Sequence, residues 1–207
     1  MNSKALFSIA YGVYALSANN DGDDNACIVN TVQQVTSSPL QITVAINKAN
    51  RTHDMIKASG KFNVSVLTQS TPFSVIERFG FQSGKTADKF IGFDSAKRSA
   101  NGVLYLSEYS NAFLSGSVTS MIDLGTHTLF IAEVTEAEVL SSDETLTYSY
   151  YHKHIKPQQS SPATKNTGKV GWRCRICGYI YEGEELPPDF ICPVCKHGVA
   201  DFEKISL

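Results

Sequence analysis

Long apolar runs, a large excess of one charge and a dinucleotide-binding motif are all missing from this chain of 207 residues. No apolar stretch approaches the roughly eighteen residues of a membrane-spanning helix, and no cationic segment leads into an apolar run and a cleavage site. We therefore expect a cytoplasmic protein without a membrane partner. The net charge is only −2, and without a basic stripe we expect no nucleic-acid partner.

Cysteine is also scarce, at five residues. Cys27 stands alone in the apolar run 26–29, where a buried structural thiol is the favoured interpretation. No G-x-G-x-x-G follows a predicted strand, so a Rossmann site is not supported. The small number of cysteines fits a reducing compartment better than a disulfide framework.

The other four cysteines form two C-x-x-C pairs near the end of the sequence. They are Cys174, Cys177, Cys192 and Cys195. A C-x-x-C turn brings two thiolates onto one ion, and two facing turns complete a tetrahedral sulfur shell that suits iron or zinc. The surrounding aromatic residues would limit solvent access to the metal. They are Trp172, Tyr179, Tyr181, Phe190 and Phe202.

This segment resembles a rubredoxin in its Cys-Gly-Tyr-x-Tyr and Cys-Pro-x-Cys sequences. The gap between the two cysteine pairs is shorter than in ordinary rubredoxins and resembles the abbreviated domain at the end of rubrerythrins. The resemblance implies one Fe(Cys)4 centre per chain, which exchanges one electron at a time. A zinc ribbon, structural or docking the chain on a protein partner, stays open because zinc ribbons share the bare spacing.

Composition divides the chain into three parts. Residues 156–169 contain no large apolar side chain and predict a flexible, solvated linker. It separates residues 1–155, which are long enough to bury a core of their own, from the metal segment at 170–207.

Residues 1–155 predict a mainly β domain with a few short helices. Alternating and β-branched runs predict strands at 12–16, 26–32, 40–46, 61–67, 116–122 and 127–134, and helices are predicted at 51–59 and 72–79. Tyr148, Tyr150 and Tyr151 predict a final strand that contributes to the edge of a ligand site. Many short strands separated by turns favour a barrel.

Four segments, in order, resemble the flavin reductase-like split β-barrels that bind FMN. They are residues 25–40, 47–53, 79–90 and 125–134. The resemblance covers nearly all of the first 155 residues. It implies a split-barrel FMN-binding domain, and a homodimer with the flavin at or near the subunit interface.

A short segment at the start of the first predicted helix offers two cations, an amide and a hydroxyl. They are Lys48, Asn50, Arg51 and Thr52. Free N–H groups at the start of a helix favour an anion. The alternative is a solvated loop that merely caps the helix, and the resemblance favours a cradle for the FMN phosphate.

The remaining flavin contacts follow from the resemblance alone. It places Asn30, Thr31 and Val32 beside the isoalloxazine ring, and Ser37 and Ser38 nearer the ribityl chain or the phosphate. It also places part of a glycine-containing loop near the flavin, often that of a neighbouring subunit. The residues of that loop are Ser83, Gly84, Asp88 and Lys89. Without the resemblance, the first five residues are interpreted as ordinary polar positions on a strand, and the loop is interpreted as a surface turn.

His127 is the candidate catalytic residue. The family has a histidine near the ring in a Gly-Asp-His-Thr motif, and here Thr126 stands where that motif has its acidic residue. The resemblance implies a contact from His127 to the nicotinamide or the flavin. A structural or solvent-facing histidine is the alternative, and the motif supplies no carboxylate partner.

Together the two domains resemble the high-molecular-weight rubredoxins of anaerobes. The resemblance implies an electron carrier that receives electrons from NAD(P)H, directly or through an NAD(P)H-dependent reductase. The electrons would pass through FMN and the iron to a flavodiiron protein that reduces oxygen or nitric oxide. The alternative is an enzyme, an NAD(P)H-dependent flavin reductase in which the metal knuckle is a structural zinc site.

Overall fold

The computed structural model describes residues 5, 8–157, 170–174, 179–192 and 198–206. The chain divides into two compact units, Met1–Lys156 and Pro157–Leu207. No helix within the described ranges is long and apolar enough to cross a membrane.

The described residues of the first unit form nine strands and three α-helices, and a short π-helix follows the third α-helix. The strands are β1 (Tyr14–Asn20), β2 (Asp23–Val29), β3 (Gln33–Ser37), β4 (Leu40–Asn47), β5 (Lys61–Leu67), β6 (Ala96–Arg98), β7 (Leu104–Leu106), β8 (Ser110–Asp123) and β9 (His127–Val139). The helices are α1 (Arg51–Ser59), α2 (Phe73–Gly80) and α3 (Tyr148–Tyr150). Seven strands form one antiparallel sheet in the order β2-β1-β5-β8-β9-β4-β3, and β6 pairs with β7.

The sheet curls around a first core. Cys27 of β2 and Val44 of β4, which come from strands far apart in the sheet order, belong to the same buried cluster as Ile56 of α1. Leu16 of β1 and Phe130 of β9 complete its centre, and both are fully buried. Each such side chain stabilises the fold by about 1.5–3 kcal/mol. The closed core, covered by α1, gives the unit its barrel shape.

A second core lies on the other face of the sheet. Val75, Ile76 and Phe79 of α2 pack there against Ala15 of β1 and Leu67 of β5. Because successive residues of a strand face opposite sides of a sheet, β1 contributes to both cores and is buried on both faces.

The six strands and two helices expected from the sequence are all present; α1 and β5 have the predicted ends, and the others are shifted at one or both ends. The strand predicted at 26–32 ends at Val29, and residues 30–32 lead into β3. There the hydroxyl of Thr31 donates to the carbonyl of Ala45 at 2.9 Å and accepts from its N–H at 3.2 Å. A side chain thus takes the place of backbone pairing on this part of β4.

The predicted final strand at Tyr148, Tyr150 and Tyr151 is wrong. These residues form α3 and the start of a π-helix, Tyr151–Ile155. Thr147 caps the turn, because its hydroxyl accepts from the N–H of Tyr150 at 3.2 Å and its carbonyl accepts from the N–H of Tyr151 at 2.9 Å. The spacing of the tyrosines mimics a strand, but the cap starts a helix.

The second unit contains a small antiparallel sheet. Its strands are β10 (Val170–Cys174), β11 (Ile180–Glu182) and β12 (Phe202–Ser206), in the order β11-β10-β12. A 3-10 turn, Val199–Asp201, leads into β12. Arg173 and Glu203 are opposite each other on β10 and β12 and form an ion pair. Of the predicted linker, residues 158–169 lie outside the described residues.

Gly116 of β8 has no space for a side chain, which gives a test of the barrel. A Cβ atom at this position would lie 2.5 Å from Cζ of the buried Phe62. We expect Gly116→Ala to lower the free energy of unfolding by about 1–3 kcal/mol, measured by urea denaturation. Ser117→Ala is the control, because Ser117 is next to Gly116 on the strand and its side chain is exposed. Equal stability of the two variants would contradict the packing described here.

Candidate functional site

The loop between β4 and α1 carries the residues predicted to bind a phosphate. Asn50 is the N-cap of α1: its side-chain oxygen accepts from the N–H of Thr52 at 3.0 Å, and its carbonyl accepts from the N–H of His53 at 3.1 Å. Such caps satisfy N–H groups that a helix leaves unpaired. Asn50 thus has the capping role that the sequence allowed, and two cations, Lys48 and Arg51, flank it.

Lys48 reaches the hairpin between β8 and β9. Its Nζ donates to Oδ1 of Asp123 at 2.6 Å, and its N–H donates to the carbonyl of Thr126 at 3.0 Å. The bonds from Lys48 and from the N–H of Gly125 lower the pKa of Asp123, so the pair persists until the pH falls through that lowered pKa. The two side chains are 37% and 71% exposed, so an anionic ligand has access to Lys48 and competes with a surface carboxylate.

His127 begins β9 beside this loop, opposite Asn47. Its Nδ1 lies 2.9 Å from Oγ1 of Thr126. The Thr126 hydroxyl is therefore the partner of His127, in place of the carboxylate that the motif lacks here. The next residue, Thr128, is buried, and its hydroxyl lies 2.9 Å from Nε2 of the buried His53. This contact ties α1 to β9, and sequence reasoning did not assign His53 any role.

Arg51 joins three segments of the chain. Its Nη1 donates to the carbonyl of Gly84 at 2.5 Å, and its Nη2 forms an ion pair with Oδ2 of Asp23. The Arg51 side chain is 32% exposed and that of Asp23 is 51% exposed. The guanidinium is therefore held in one direction while solvent still reaches it. Sequence reasoning missed Asp23, which lies 28 residues away on β2.

A buried polar layer lies beneath the first turn of α1. Thr52 is fully buried, and its hydroxyl accepts from Nδ2 of Asn25 at 2.9 Å. Cys27 lies in the same layer and is 2% exposed, which confirms the predicted buried thiol. Burial raises its pKa, although hydrogen bonds with Thr52 and Asn50 and the charge of Lys89 oppose that rise. A raised pKa keeps this cysteine a thiol at neutral pH.

The predicted loop residues at 83–89 have different surroundings. Ser83 and Asp88 are exposed, and each side chain accepts a bond from a nearby backbone N–H. Lys89 is only 3% exposed, and its Nζ donates to the carbonyls of Ala26 at 2.8 Å and Phe79 at 2.9 Å. Burial lowers the pKa of Lys89. This side chain anchors the loop between β2 and α2, and its contact with a flavin stays a prediction.

The residues predicted around β3 fall into two groups. Residues 30–32 are half-buried and lie near the end of β4 that leads to Lys48, because Thr31 is bonded to Ala45. Ser37 and Ser38 are exposed at the other end, where β3 turns into β4. The length of β4 places them roughly 23 Å from Lys48. The fold therefore gathers residues 30–32, the 48–52 loop and His127 at one end of the sheet, but not the two serines.

The metal-binding prediction concerns the second unit. Cys174 on β10 and Cys192, from the other C-x-x-C pair, share one buried cluster with Phe202. Side chains packed against it are Trp172, Tyr179, Leu186 and Phe190. Cys177 and Cys195 lie outside the described residues. One cysteine of each pair therefore lies in the same buried cluster, against four of the five predicted aromatic residues.

Two family models match the chain. Residues 6–158 match the flavin reductase like domain, and residues 172–203 match the rubrerythrin, rubredoxin-like domain. The chain belongs to the flavin reductase-like family. A rubredoxin-like domain follows the flavin reductase-like domain, as expected from the sequence.

Several curated proteins are similar to all or part of this chain. A high molecular weight rubredoxin from Moorella thermoacetica is 38% identical over 232 residues, covering 99% of this chain and 100% of that protein. A ferric-chelate reductase (NAD(P)H) from Archaeoglobus fulgidus is 41% identical over 164 residues, covering 79% of this chain and 96% of that protein. A rubrerythrin from Nitratidesulfovibrio vulgaris is 47% identical over 36 residues, or 17% of this chain and 18% of that protein.

Solved structures share the fold of the flavin reductase-like domain. An NADH:FAD oxidoreductase from Streptomyces globisporus superposes with a TM-score of 0.61 at 20% identity, covering 69% of this chain and 84% of that one. A flavoredoxin from Methanosarcina acetivorans has a TM-score of 0.58 at 24% identity, covering 63% of this chain and 69% of that one. The mainly β flavin reductase-like fold expected from the sequence is therefore confirmed.

The family implies FMN and iron, and the described residues fit both groups. Lys48 and Arg51 place two cations on one loop, each paired with a solvent-exposed carboxylate that a phosphate dianion can replace. Cys174 and Cys192 place two thiols in an aromatic interior that suits a metal and excludes water.

The pairing of Lys48 with Asp123 yields a prediction about flavin affinity. Asp123→Asn removes the negative charge, while an amide oxygen can still accept from the N–H of Gly125. We expect FMN to bind about two- to fivefold more tightly, since the phosphate no longer competes with a carboxylate. Fluorescence titration measures the change, and riboflavin, which lacks the phosphate, should show none. The control Lys48→Ala should weaken FMN binding; an unchanged affinity there would contradict this assignment.

The buried cysteine cluster yields a second prediction. Cys192→Ser should abolish a stable metal centre, because three sulfur ligands remain where four are needed. Metal analysis and visible absorption of anaerobically purified protein measure the loss. Cys27→Ser is the control: this cysteine belongs to the barrel core, so the metal content should not change. Iron absorption retained in Cys192→Ser would refute the ligand assignment.

Proposed function

We propose that the chain is an electron-transfer flavo-rubredoxin. It takes electrons from a reduced pyridine nucleotide, directly or through an NAD(P)H-dependent reductase. They pass through FMN and an Fe(Cys)4 centre to an acceptor such as a flavodiiron oxygen or nitric oxide reductase. The observation that carries this proposal is the shared buried cluster of Cys174 and Cys192, in a chain whose other unit has the flavin reductase-like fold.

The phosphate end of the flavin is assigned to the 48–52 loop. Lys48 and Arg51 bind the phosphate, and Asn50 fixes the first turn of α1 between them. Thr52 supports that turn from below, since its hydroxyl is buried and bonded to Asn25. Ion pairs with exposed carboxylates hold both cations in place before the ligand binds, and they restrict where the phosphate can sit.

The ring end is assigned to the same end of the sheet. His127 and residues 30–32 border the loop, and the hydroxyl of Thr126 orients the His127 ring. His127 is thereby the candidate to contact the nicotinamide or the flavin. Bound FMN takes up two electrons from a nicotinamide and releases them singly, which matches the one-electron chemistry of a tetrathiolate iron.

The metal centre is assigned to the four cysteines Cys174, Cys177, Cys192 and Cys195. Phe190 and Phe202 form an edge-to-face pair 5.4 Å apart beside the cluster, and Phe190 also packs 4.8 Å from Tyr181. Cys174 and Cys192 are fully buried beside these rings, away from water. The shell supports iron in an electron-transfer role, because burial and solvent access are among the features that set the potential of an iron–sulfur site.

The division into domains 1–155, linker 156–169 and 170–207 completes the proposal. We place two chains in a homodimer. Large apolar side chains exposed on the β3–β4 and β8–β9 hairpins support it, because such surface is often covered by a partner. They are Val35, Leu40, Met121, Ile122 and Leu124.

One observation favours a second function. The ferric-chelate reductase (NAD(P)H) is 41% identical to this chain over 96% of its own length. The second proposal is that this chain is an NAD(P)H-dependent flavin reductase, and that its metal knuckle is a structural zinc site.

Anaerobic reduction of the full chain separates the two functions. Electron transfer predicts about one iron per chain, with both flavin and iron absorption lost when NADH or NADPH is added, alone or with a reductase. The control is Cys192→Ser, in which only the flavin should be reduced. A colourless, zinc-loaded knuckle with rapid turnover of free FMN would overturn the carrier function and support the flavin reductase.

Truncation tests the domain division. A chain that ends at Lys156 should fold, bind FMN and remain yellow, because its two cores are built from residues of the first unit. Circular dichroism and flavin absorption measure folding and cofactor content. A colourless or aggregated truncation would contradict the division at residues 156–169.

A further inference from the structure

Four residues close a ring of contacts around the first turn of α1. Asn25 on β2 donates to the hydroxyl of Thr52, and the neighbouring Arg51 donates to the carbonyl of Gly84. Gly84 in turn packs directly against the amide of Asn25. The ring thus joins β2, α1 and the 83–89 loop, although Asn25 has no place among the residues assigned to the cofactor so far.

Burial makes Asn25 the fixed point of this ring. Asn25 is only 1% exposed, and its 2.9 Å bond reaches the hydroxyl of Thr52, a residue that is itself fully buried. A buried polar group that loses its partner has no water to replace it, so the bond resists breaking. The ion pair of Arg51 with Asp23 is partly exposed by comparison. Asp23 also lies on β2, two residues before Asn25 and on the same face of the strand.

Gly84 fits only because it has no side chain. A Cβ atom there would lie 2.7 Å from both Cγ and Nδ2 of Asn25, closer than packed atoms approach. The amide cannot move away without breaking its bond to Thr52. The 83–89 loop is also anchored at its far end, where the buried Lys89 holds two carbonyls. The position of the Gly84 carbonyl, and so of Arg51, follows from Asn25.

We infer that Asn25 is a positioning residue of the cofactor site, which aims Arg51 at the phosphate by holding Thr52 and seating Gly84 against its amide. This inference rests on the proposed function, since it concerns the phosphate end of the same site. Asn25 acts through the other three residues and does not touch the ligand itself.

The test compares FMN with riboflavin, which has the same ring system but no phosphate. We expect Asn25→Ala and Gly84→Ala each to weaken FMN binding about tenfold, the effect of losing one buried hydrogen bond or its alignment. Riboflavin affinity should change less than twofold. A merely structural role would lower both affinities together, and that result would overturn the inference.

The double variant Asn25→Ala/Gly84→Ala tests the contact itself. Removing the amide makes room for the new methyl group, so the loss of FMN affinity should be no larger than in Asn25→Ala alone. Losses that simply add would show that the two positions are not coupled and would overturn the inference. If Asn25→Ala does not fold, Asn25→Ser in the same cycle replaces it.

Gly116→Ala is the matched control. It also forces a methyl group against a buried side chain, but on β8, where that side chain is the aromatic ring of Phe62. It should lower the melting temperature without changing the ratio of FMN to riboflavin affinity. A ratio that changes there as much as in Gly84→Ala would overturn the inference.

The unaltered chain separates this inference from the proposed function. If it binds neither flavin, the proposed function fails. If it binds both flavins equally, only the phosphate assignment and this inference fail.

Discussion

The rest of the candidate site depends on one buried hydrogen bond, from Asn25 to Thr52. It holds the first turn of α1 from below, while Asn50 caps that turn from its own end. The cations Lys48 and Arg51 project from the same short stretch of chain, so their positions follow from that of the turn. Burial sets the order of importance, because a bond without access to water costs more to break than an exposed ion pair.

Local pattern was enough to predict most of the framework. Alternating apolar residues identify the strands that line the barrel, and the start of α1 follows from Asn50, a good N-cap residue directly after a strand. Residue pairing could not be predicted. Lys48 meets Asp123 and Arg51 meets Asp23 across 75 and 28 residues of sequence, and no local signal encodes such partners. For the same reason, the sequence did not identify Asn25 as part of the site.

The two units also differ in how far sequence reasoning reaches. The proposed metal ligands follow from the C-x-x-C spacing, because such a spacing lets one turn bring two thiolates onto one ion. In the barrel, residue type was a poorer guide to role. Lys89 has the charge of a phosphate ligand, yet it is buried under two backbone carbonyls, and Ser37 and Ser38 lie at the wrong end of β4 for the 48–52 loop. Only the packing of whole strands decides such positions.

The separation in sequence of these contacts has a consequence for how the protein matures. The bonds that shape the loop close segments of 27, 33 and 75 residues. Closing such segments costs chain entropy that contacts between sequence neighbours do not offset. We therefore expect the long-range bonds to form late in folding. If the 48–52 loop binds the phosphate as proposed, that end of the site needs contacts that only the folded barrel makes. We therefore expect flavin binding to require a completely folded barrel.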